Sequence, residues 1–376
     1  MNILHVNCNY LGSNLHQLMV EKLGDAGVRN TVFVPVYSQF TSSIQPIEDV
    51  VVSECFEKRD RFFFTKKQNK IFRALEDSCN LSDVNLVHAY TLFTDGNVAL
   101  NLKKKYNVPY VVAIRNTDVN YFFKYRINLR KRGVEVLQHA SAVFFLSPVY
   151  KEKVYSNYIP ASLREEFEAK TFIIPNGIDD FWLKNISSEK RCCNSKKDIK
   201  LVYAGRIDQN KNIPAIQKAM DGLEKKGYDV SLTVVGQVDD SRVYNEIIKH
   251  SKTQYIGKQT KEKLLEIYRS GNIFVMPSHK ETFGLVYAEA MSQGLPVLYT
   301  RGQGFDGQFA DGTVGYAVDS KNVQSVADGI IKVVNNYDEI TTRCAESAKK
   351  FSWDSICRQY LEIYKQIVCM QESGTE

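Results

Sequence analysis

Two glutamates with a glycine between them, Glu281 and Glu289, are the residues of this sequence whose types and spacing point most directly to chemistry. They lie eight positions apart, and Glu281 follows the short apolar run 273–276. Glu289 lies in a helical stretch that Gly294 and Pro296 end. The pattern therefore predicts one carboxylate in a loop and the other within the first two turns of a helix.

The amides just before this helix are the second chemical feature of the segment. The backbone N–H groups of Phe283, Gly284 and Leu285 are predicted to point out of the helix N-terminus, where unpaired amides and the helix dipole attract anions. Alone, the two glutamates could also form an acid–base pair for hydrolysis. Beside an anion site they suit a ligand that carries both phosphates and hydroxyl groups, as a nucleotide sugar does.

A loop with two cations precedes this segment in the chain. A predicted strand ends at Ala204, Gly205 turns the backbone, and Arg206 and Lys211 flank the loop before a helix that begins near Pro214. Arginine binds a diphosphate through paired donors, and lysine acts as a point charge. A solvated loop is the alternative interpretation of these cations taken alone.

Taken together, these segments resemble family 4 glycosyltransferases, which are retaining enzymes of the GT-B fold. The resemblance spans roughly residues 170 to 370. It is carried, in order, by Ile-Ile-Pro-Asn-Gly-Ile-Asp at 173–179, Gly205-Arg206 through Lys211, Met276 through Glu289-Ala-Met, and Gly294-Leu-Pro-Val. The first half of the chain matches the family more loosely.

The resemblance implies a role for each matching residue. Arg206 and Lys211 neutralise the donor diphosphate, Glu289 binds the ribose hydroxyls, and Glu281 lies beside the transferred sugar. The donor-binding set is completed by Gly12, Gly205, Ile256, Gly257, Phe283, Gly284 and Leu285, with Ile256 and Gly257 near the base. Gly12 follows the first strand, where a glycine lets backbone approach a phosphate; an ordinary turn glycine is the alternative.

One position departs from the family pattern. Many relatives carry a histidine after the strand that here is 110–114, and Arg115 occupies that position. Arginine is a poor proton carrier at neutral pH, so His88 is the candidate substitute, with a buried strand-end histidine as the alternative. Asn116 and Asp118 are expected on the acceptor side.

Strand–helix alternation predicts the fold class, an α/β protein with two Rossmann-like doubly wound domains that face a cleft. Strands are predicted at 3–6, 31–36, 84–88, 110–114 and 142–146, and again at 199–203, 230–235, 253–256, 273–276 and 296–299. We predict an acceptor-binding domain at 1–180, a donor-binding domain at 181–350 and a linker at 184–197. The tail, 351–376, either caps the second domain or crosses back to the first, and we adopt the second alternative.

Composition narrows the remaining classes of function. No run of about 18 apolar residues is present, the first residues read as a strand rather than a secretory leader, and the eight cysteines show no metal-ligand spacing. We therefore expect a cytoplasmic protein, a monomer or weak dimer, that needs no metal or cofactor, because Arg206 and Lys211 supply the charge. The run Gly302-Gln-Gly-Phe-Asp-Gly307 imitates a dinucleotide motif, and we interpret it as a flexible loop near the donor site.

Two basic and aromatic segments, Lys58–Arg73 and Phe122–Arg132, lie in the first half of a chain with net charge +6. A solvated helix face is the default interpretation of these segments; a surface for anionic lipid at the inner face of a membrane, or for an anionic acceptor, is the sharper interpretation, and nucleic acid is the weakest. The expected activity is retaining transfer of a hexose from a nucleotide-diphosphate sugar, with UDP first and GDP second, to a saccharide or lipid-linked saccharide in surface-polysaccharide or glycan synthesis. A non-catalytic nucleotide-sugar binder and an NAD-dependent oxidoreductase are the alternatives.

Overall fold

The computed structural model describes residues 1–12, 14–41, 49–187, 191 and 195–373. The chain forms two compact units: the first comprises 1–146, 150–177 and 353–376, and the second comprises 147–149 and 178–352. The predicted linker at 184–197 lies partly outside the described residues, and its described residue Arg191 contacts the second unit. The division falls at Gly177 and Ile178, because the short helix Asp180–Lys184 and the side chain of Arg191 both pack within the second unit.

The first unit is built on a parallel sheet of seven strands in the order β3-β2-β1-β4-β5-β6-β7. These are β1 Asn2–Val6, β2 Arg29–Tyr37, β3 Val50–Phe56, β4 Leu86–Ala89, β5 Tyr110–Ile114, β6 Ala142–Phe145 and β7 Thr171–Ile173. All residues of β4, β5 and β6 are buried, as expected for parallel strands covered on both faces. The five predicted strands are present; β3, which is half-exposed, and the three-residue β7 were not predicted.

Helices cover the faces of this sheet. They are α1 Leu15–Asp25, α2 Phe64–Ser78, α3 Asp95–Tyr106, α4 Arg130–His139, α5 Pro148–Tyr158 and α6 Arg164–Ala169. A 3₁₀ turn, Lys58–Phe62, precedes α2, and a π-helical segment, Asp118–Phe123, follows β5. The apolar stripe of α2 (Ile71 and Leu75) enters the core cluster that also contains Leu4 and Val87.

The second unit has a parallel sheet of six strands in the order β10-β9-β8-β11-β12-β13. The strands are β8 Asp198–Ala204, β9 Asp229–Val235, β10 Thr253–Gly257, β11 Ile273–Val275, β12 Val297–Thr300 and β13 Gly315–Val318. Its helices are α7 Asp180–Lys184, α8 Ile213–Glu224, α9 Ser241–Ile247, α10 Lys261–Ser270, α11 Leu285–Ser292, α12 Val323–Asn335 and α13 Tyr337–Ala348. Strand β13 and helices α12 and α13 were not predicted.

The last helix, α14 Trp353–Ser373, belongs to the first unit. Its buried residues Ile356, Tyr360 and Tyr364 share a core cluster with Ile3 of β1 and Met19 of α1. The tail therefore covers the first sheet, in keeping with the second of the two alternatives for it.

Each sheet reverses its strand order once, between β1 and β4 in the first unit and between β8 and β11 in the second. Ligands of doubly wound sheets bind beyond the carboxyl ends of the strands at such a reversal, because the flanking loops turn away from each other there. In the second unit, the loops that leave this point are the two that carry Arg206, Lys211 and Glu281.

Candidate functional site

The loop after β8 begins with a close approach of two glycines. Gly205 donates its N–H to the carbonyl of Val235 at 2.9 Å, and a Cβ placed on Gly236 would lie 1.7 Å from the Gly205 carbonyl oxygen. Both glycines have positive φ, 157° and 151°, which side chains rarely adopt. The ends of β8 and β9 therefore lie together, and their loops leave the sheet edge side by side.

The charged pair at this edge is Lys211 with Glu281. The Lys211 Nζ lies 2.7 Å from Glu281 Oε2, and each side chain is only 13% exposed. Lys211 reaches this position because Asp208 caps the turn below it, accepting the Lys211 N–H at 3.0 Å. The structure thus joins two residues that are 70 positions apart in sequence, at the point where the strand order reverses.

Arg206 is held much more loosely than Lys211. Its side chain is 67% exposed, and its guanidinium lies 3.4 Å from Asp239 Oδ2 and 4.0 Å from Asp208 Oδ2. Long contacts to exposed carboxylates contribute little free energy. The guanidinium can therefore leave them for a stronger anion.

Two asparagines that the sequence interpretation missed join the β8 loop to the loop after β11. Asn210 donates from Nδ2 to the Lys280 carbonyl at 2.9 Å and accepts the Lys280 N–H at 3.0 Å. Asn212, in the left-handed region at φ 58°, donates to the carbonyls of Pro277 and Ser320. The sequence could have indicated Asn212, because an asparagine just before the helix start near Pro214 is a residue type that tolerates the left-handed conformation.

The run Gly302–Gly307 supports Glu281 from a third side. The Gln303 side chain accepts the Glu281 N–H at 3.0 Å, and Gly304 donates its N–H to the Glu281 carbonyl at 3.1 Å. A Cβ on Gly304 would lie 1.8 Å from the Thr282 carbonyl oxygen, and Phe305 is buried. The run lies beside Glu281 and is packed against it, and its placement near a donor site stays a prediction.

Helix α11 begins at Leu285, with Gly284 as its N-cap at φ 79°. A Cβ on Gly284 would approach Tyr287 Cε2 to 2.4 Å, so only glycine fits there. Phe283 is buried against Phe305 and Phe351, which fixes the entry of the chain into the helix. The amides at the start of α11 therefore directly follow the Glu281 loop.

Glu289 lies on the second turn of α11 and is half-buried. Burial raises the pKa of its carboxyl to about 7, against the opposing effects of Lys261 and of a hydrogen bond from the Trp182 side chain. Lys261 is itself paired with Asp179, the N-cap of α7. The carboxyl is thus positioned between α7 and α10, where it can change its ionisation near neutral pH.

Ile256 and Gly257 lie at the carboxyl end of β10, the edge strand. Gly257, at φ 85°, accepts the Gly236 N–H at 3.0 Å, and Gln259 donates to the Ile256 carbonyl at 3.0 Å. The structure therefore connects them to Gly205 through Gly236, two strands away from the Lys211 pair.

Known proteins resemble this chain in sequence and in fold. Residues 188–351, nearly all of the second unit, match the family model "Glycosyl transferases group 1". Most of the second unit is therefore similar to group 1 glycosyltransferases. A probable sucrose-phosphate synthase of Thermosipho melanesiensis is 22% identical to this chain over 291 residues, 75% of this chain and 66% of that protein.

Solved structures resemble this chain over nearly its whole length. A sucrose-phosphate synthase from Thermosynechococcus elongatus gives a TM-score of 0.74 at 18% identity, covering 98% of this chain and 100% of that chain. The Anabaena protein HepE in complex with UDP gives 0.70 at 16% identity, covering 97% and 100%. The prediction of a GT-B fold with two Rossmann-like domains is confirmed.

In the first unit, Arg115 lies directly beyond the carboxyl end of β5. Its Nε donates to the Tyr90 carbonyl at 3.2 Å, and its NH1 donates to Asn176 Oδ1 at 3.1 Å. The guanidinium is therefore held in place at the carboxyl edge of the sheet. Asn116 beside it is half-exposed, and its side chain accepts a hydrogen bond from Asn120.

Asp118, expected on the acceptor side, is a buried anchor. Its carboxylate accepts the N–H groups of Leu92, Phe93 and Arg115 at 3.1, 3.2 and 2.9 Å, and only 1% of its surface is exposed. Burial raises its pKa to about 6 against these three hydrogen bonds. A carboxylate with its oxygens occupied in this way holds the loops after β4 and β5 together and leaves no surface for an acceptor.

His88 lies in the core of the first unit. Its side chain has no exposed surface, stacks on Tyr90 at 4.2 Å and shares a 2.5 Å hydrogen bond with the Tyr364 hydroxyl through Nδ1. Burial lowers its pKa well below the ordinary value. The geometry thus matches the alternative of a core histidine. His16, which was not singled out, lies half-buried near the start of α1, and burial and the Arg115 charge lower its pKa to about 3.

Gly12 ends a 3₁₀ turn after β1 and donates its N–H to the Asn9 carbonyl at 3.0 Å. A Cβ at this position would meet nothing within 4 Å, so the described structure does not itself require glycine there. The space beside it is open at the carboxyl end of β1. A role near phosphate stays a prediction.

The described residues show neither a cluster of metal ligands nor a membrane-spanning helix. Among them, no group of three or more His, Cys, Asp and Glu side chains is placed to hold a metal ion. Within the same ranges, no helix combines the length and the apolar character that a membrane span needs.

Proposed function

We propose that this protein is a glycosyltransferase that moves a hexose from a nucleotide-diphosphate sugar, UDP first and GDP second, to a saccharide or lipid-linked saccharide, with retention at the anomeric carbon and without a metal. The observation that carries the proposal is the Lys211–Glu281 pair at 2.7 Å, located where the strand order of the second sheet reverses. Arg206 stands on the same loop with its guanidinium exposed.

Charge supports the assignment of the donor. A diphosphate leaving group gains negative charge as the glycosidic bond breaks, and prepositioned cations stabilise that charge more in the transition state than in the ground state. Lys211 is prepositioned because its side chain is only 13% exposed, its N–H is bound by Asp208 and its ammonium is paired with Glu281. Arg206 is free to add paired donors when the donor arrives, so the two cations can take the part of a metal ion.

Glu281 and Glu289 supply the remaining contacts of the proposed donor site. Glu281 lies beside Lys211, so a hydroxyl of the transferred sugar can donate to its carboxylate while the lysine turns to the phosphate. Glu289, one helical turn beyond the N-terminal amides of α11, is proposed to accept from both ribose hydroxyls. The HepE structure, which contains UDP in a chain of similar fold, supports UDP as the first nucleotide to test.

In the transfer step, the bond between the anomeric carbon and the donor phosphate oxygen breaks, and the bond to the acceptor oxygen forms on the same face of the sugar. The leaving phosphate takes the proton of the acceptor hydroxyl. Arg115, fixed by Tyr90 and Asn176, is proposed to stabilise charge on the sugar or phosphate rather than to carry a proton, which its guanidinium does poorly at neutral pH.

The acceptor is proposed to be presented at the inner face of a membrane, with the protein a monomer or weak dimer. Segments Lys58–Arg73 and Phe122–Arg132 support this placement because they combine cations with exposed aromatic side chains, among them Phe62 and Tyr125. Anionic lipid attracts the cations, and aromatic rings settle at the interface.

The test is release of free nucleoside diphosphate when the protein is incubated with UDP-, GDP- and ADP-sugars and a membrane extract as acceptor. Lys211→Met keeps the length of the side chain and removes its charge, and it should lower turnover by about a hundredfold or more. Lys218→Met on α8 is a control lysine outside the loop. Binding of nucleotide without turnover would leave the chain a nucleotide-sugar binder and refute the catalytic proposal.

A further inference from the structure

A cavity of about 390 Å³ lies in the first unit between the two basic segments. It is bounded by the 3₁₀ turn before α2, by α2 itself, by Thr94 at the start of α3 and by the π-helical segment after β5. These pieces follow β3, β4 and β5, so the cavity opens at the carboxyl edge of the sheet, where doubly wound domains bind ligands. Single π-helical turns occur often at functional sites.

Three cations line the cavity: Arg61, Lys67 and Arg126. None of them forms an ion pair with a carboxylate of the described residues. The neighbouring Lys66 and Lys70 differ, because both are paired with the buried Asp60, at 3.7 and 2.6 Å. The cavity therefore has a positive lining whose charge is not neutralised within the described part of the chain.

A residue of the cavity wall also carries a buried amide donor without a partner. Gln68 lines it, is 2% exposed, and its Nε2 has no hydrogen-bond partner. The orientation of this amide is fixed: Arg132 donates to Asn97 Oδ1 at 2.6 Å, so Asn97 must donate from Nδ2 to Gln68 Oε1, at 3.0 Å. The remaining Gln68 donor is left for a ligand that accepts, since an unpaired buried donor costs about 1–3 kcal/mol.

The walls and the mouth of the cavity are aromatic. Phe64 and Phe122 form one wall, with rings 6.3 Å apart, and Phe122 is braced by stacking on Phe93 at 4.8 Å. Phe62 and Tyr121 line the mouth and are exposed, 66% and 47%. Exposed Phe63, Tyr125 and Ile127 flank them in sequence. An apolar mouth around a positive interior suits a ligand whose anionic group is attached to a hydrocarbon chain.

We propose that this cavity binds the phosphate group of a lipid-linked acceptor, with the three cations and the Gln68 amide on the phosphate and the aromatic mouth against the lipid. The inference rests on the proposed transfer to a lipid-linked acceptor and adds to it the part of the acceptor that is recognised. The hydrocarbon chain remains in the membrane interface, and the phosphate enters the cavity.

The probe is geranyl diphosphate, a soluble isoprenoid with a phosphate head, titrated calorimetrically into the full chain. Geraniol and inorganic pyrophosphate, which each lack one half of this chemistry, should bind at least about tenfold more weakly. Arg61→Ala and Arg126→Ala should each weaken geranyl diphosphate binding about tenfold, because each removes a charge-assisted contact. Gln68→Glu retains the acceptor for Asn97, removes the free donor and should weaken binding at least as much.

Arg59→Ala is the matched control, because Arg59 is an exposed arginine of the same 3₁₀ turn that does not line the cavity. It should change the affinity by about twofold or less, since exposed charges are screened by salt. An equal loss in Arg59→Ala and Arg61→Ala would show diffuse attraction and overturn the proposal. Arg61 is exposed, so its variant tests the site even if Gln68→Glu fails to fold.

Two further arms separate this proposal from the donor site and from bulk membrane charge. UDP should not displace geranyl diphosphate. If UDP displaced it, and Arg126→Ala left the affinity for geranyl diphosphate unchanged, the probe would bind at the donor site and the proposal that it binds in the cavity would be refuted. Binding to phosphatidylcholine vesicles that contain polyprenyl phosphate should exceed binding to vesicles of equal charge made with phosphatidylserine, and equal binding would refute a phosphate site. Geranyl diphosphate bound normally by a chain that transfers no sugar would refute the proposed function alone.

Discussion

Glu281→Gln should tighten the binding of nucleoside diphosphate while it slows sugar transfer. In the ligand-free protein, Glu281 holds the Lys211 ammonium at 2.7 Å, and both side chains are 13% exposed. A diphosphate must therefore take the lysine from the carboxylate and accept a negative neighbour. The amide of glutamine removes both costs but gives a weaker acceptor for the hydroxyl of the sugar.

The magnitude follows from the geometry. Two unit charges at this distance attract by about 6 kcal/mol at an effective dielectric constant of about 20, and the loss of hydration of both groups offsets most of that attraction. We expect about 1–2 kcal/mol to be released to the nucleotide, which corresponds to about five- to thirtyfold tighter binding. Loss of a contact made in the transition state should lower turnover by about a hundredfold.

Calorimetric titration with UDP measures the first effect, and release of UDP from its sugar measures the second. Glu266→Gln is the control, because Glu266 forms a 2.6 Å pair with Lys263 on the exposed face of α10 and should change neither quantity. If Glu281→Gln weakened UDP binding or left transfer unchanged, the carboxylate would not be competing for the phosphate-binding lysine, and the assignment of this pair would be wrong.

Three further predictions concern pH, backbone and core. Because burial raises the pKa of Glu289 to about 7, ionisation of this carboxyl destabilises the fold as the pH rises from about 4.5 through 7. Glu289→Gln should therefore unfold at a higher denaturant concentration than the parent at pH 8 but not at pH 4.5. Equal unfolding midpoints of the two proteins at both pH values would contradict the raised pKa. Gly236→Ala should destabilise the second unit by more than about 3 kcal/mol, because the alanine Cβ would lie 1.7 Å from the Gly205 carbonyl oxygen. Gly222→Ala inside α8, where a Cβ would meet nothing within 4 Å, should stabilise the protein by about 0.5–1 kcal/mol. Chemical denaturation of both variants distinguishes a close backbone approach from ordinary glycine flexibility. His88→Gln should lower the melting temperature, because it disturbs the hydrogen bond between His88 and the Tyr364 hydroxyl. The turnover of the folded variant should stay within about threefold of the parent. A hundredfold loss of turnover would restore His88 as a catalytic residue.

The fold could be predicted from the sequence where the composition of a segment agrees with its place in the sheet. The strands of each predicted series read as short apolar runs because parallel strands are buried on both faces, and all ten are present. Strand β3 was missed because it alternates half-buried and exposed residues next to a basic segment, and β7 because three residues give no periodicity. The predicted domain boundary at 180/181 lies three residues from the division at 177/178. The polar stretch 184–197 was taken for a linker, although Arg191 within it donates to three carbonyls of the second unit.

The charges of the site were also evident in sequence, but their partnerships were not. The spacing of Glu281 and Glu289 shows that one lies in a loop and the other on a helix, but it cannot show that Glu281 pairs with Lys211. That contact depends on strand order, since β8 and β11 are neighbours only because the sheet reverses there. Asp118 was misassigned for the same reason: its three backbone donors come from the loops after two different strands.

We infer that the carboxyl edge of β8 and β11 binds the diphosphate of a sugar donor. The most direct measurement is the UDP affinity of the parent chain compared with Lys211→Met and Lys218→Met, made with UDP alone so that no acceptor is needed. We predict measurable UDP binding that falls by about tenfold or more in Lys211→Met and is unchanged in Lys218→Met. Equal affinity in all three chains, or no binding of UDP, GDP or ADP by the parent, would contradict it.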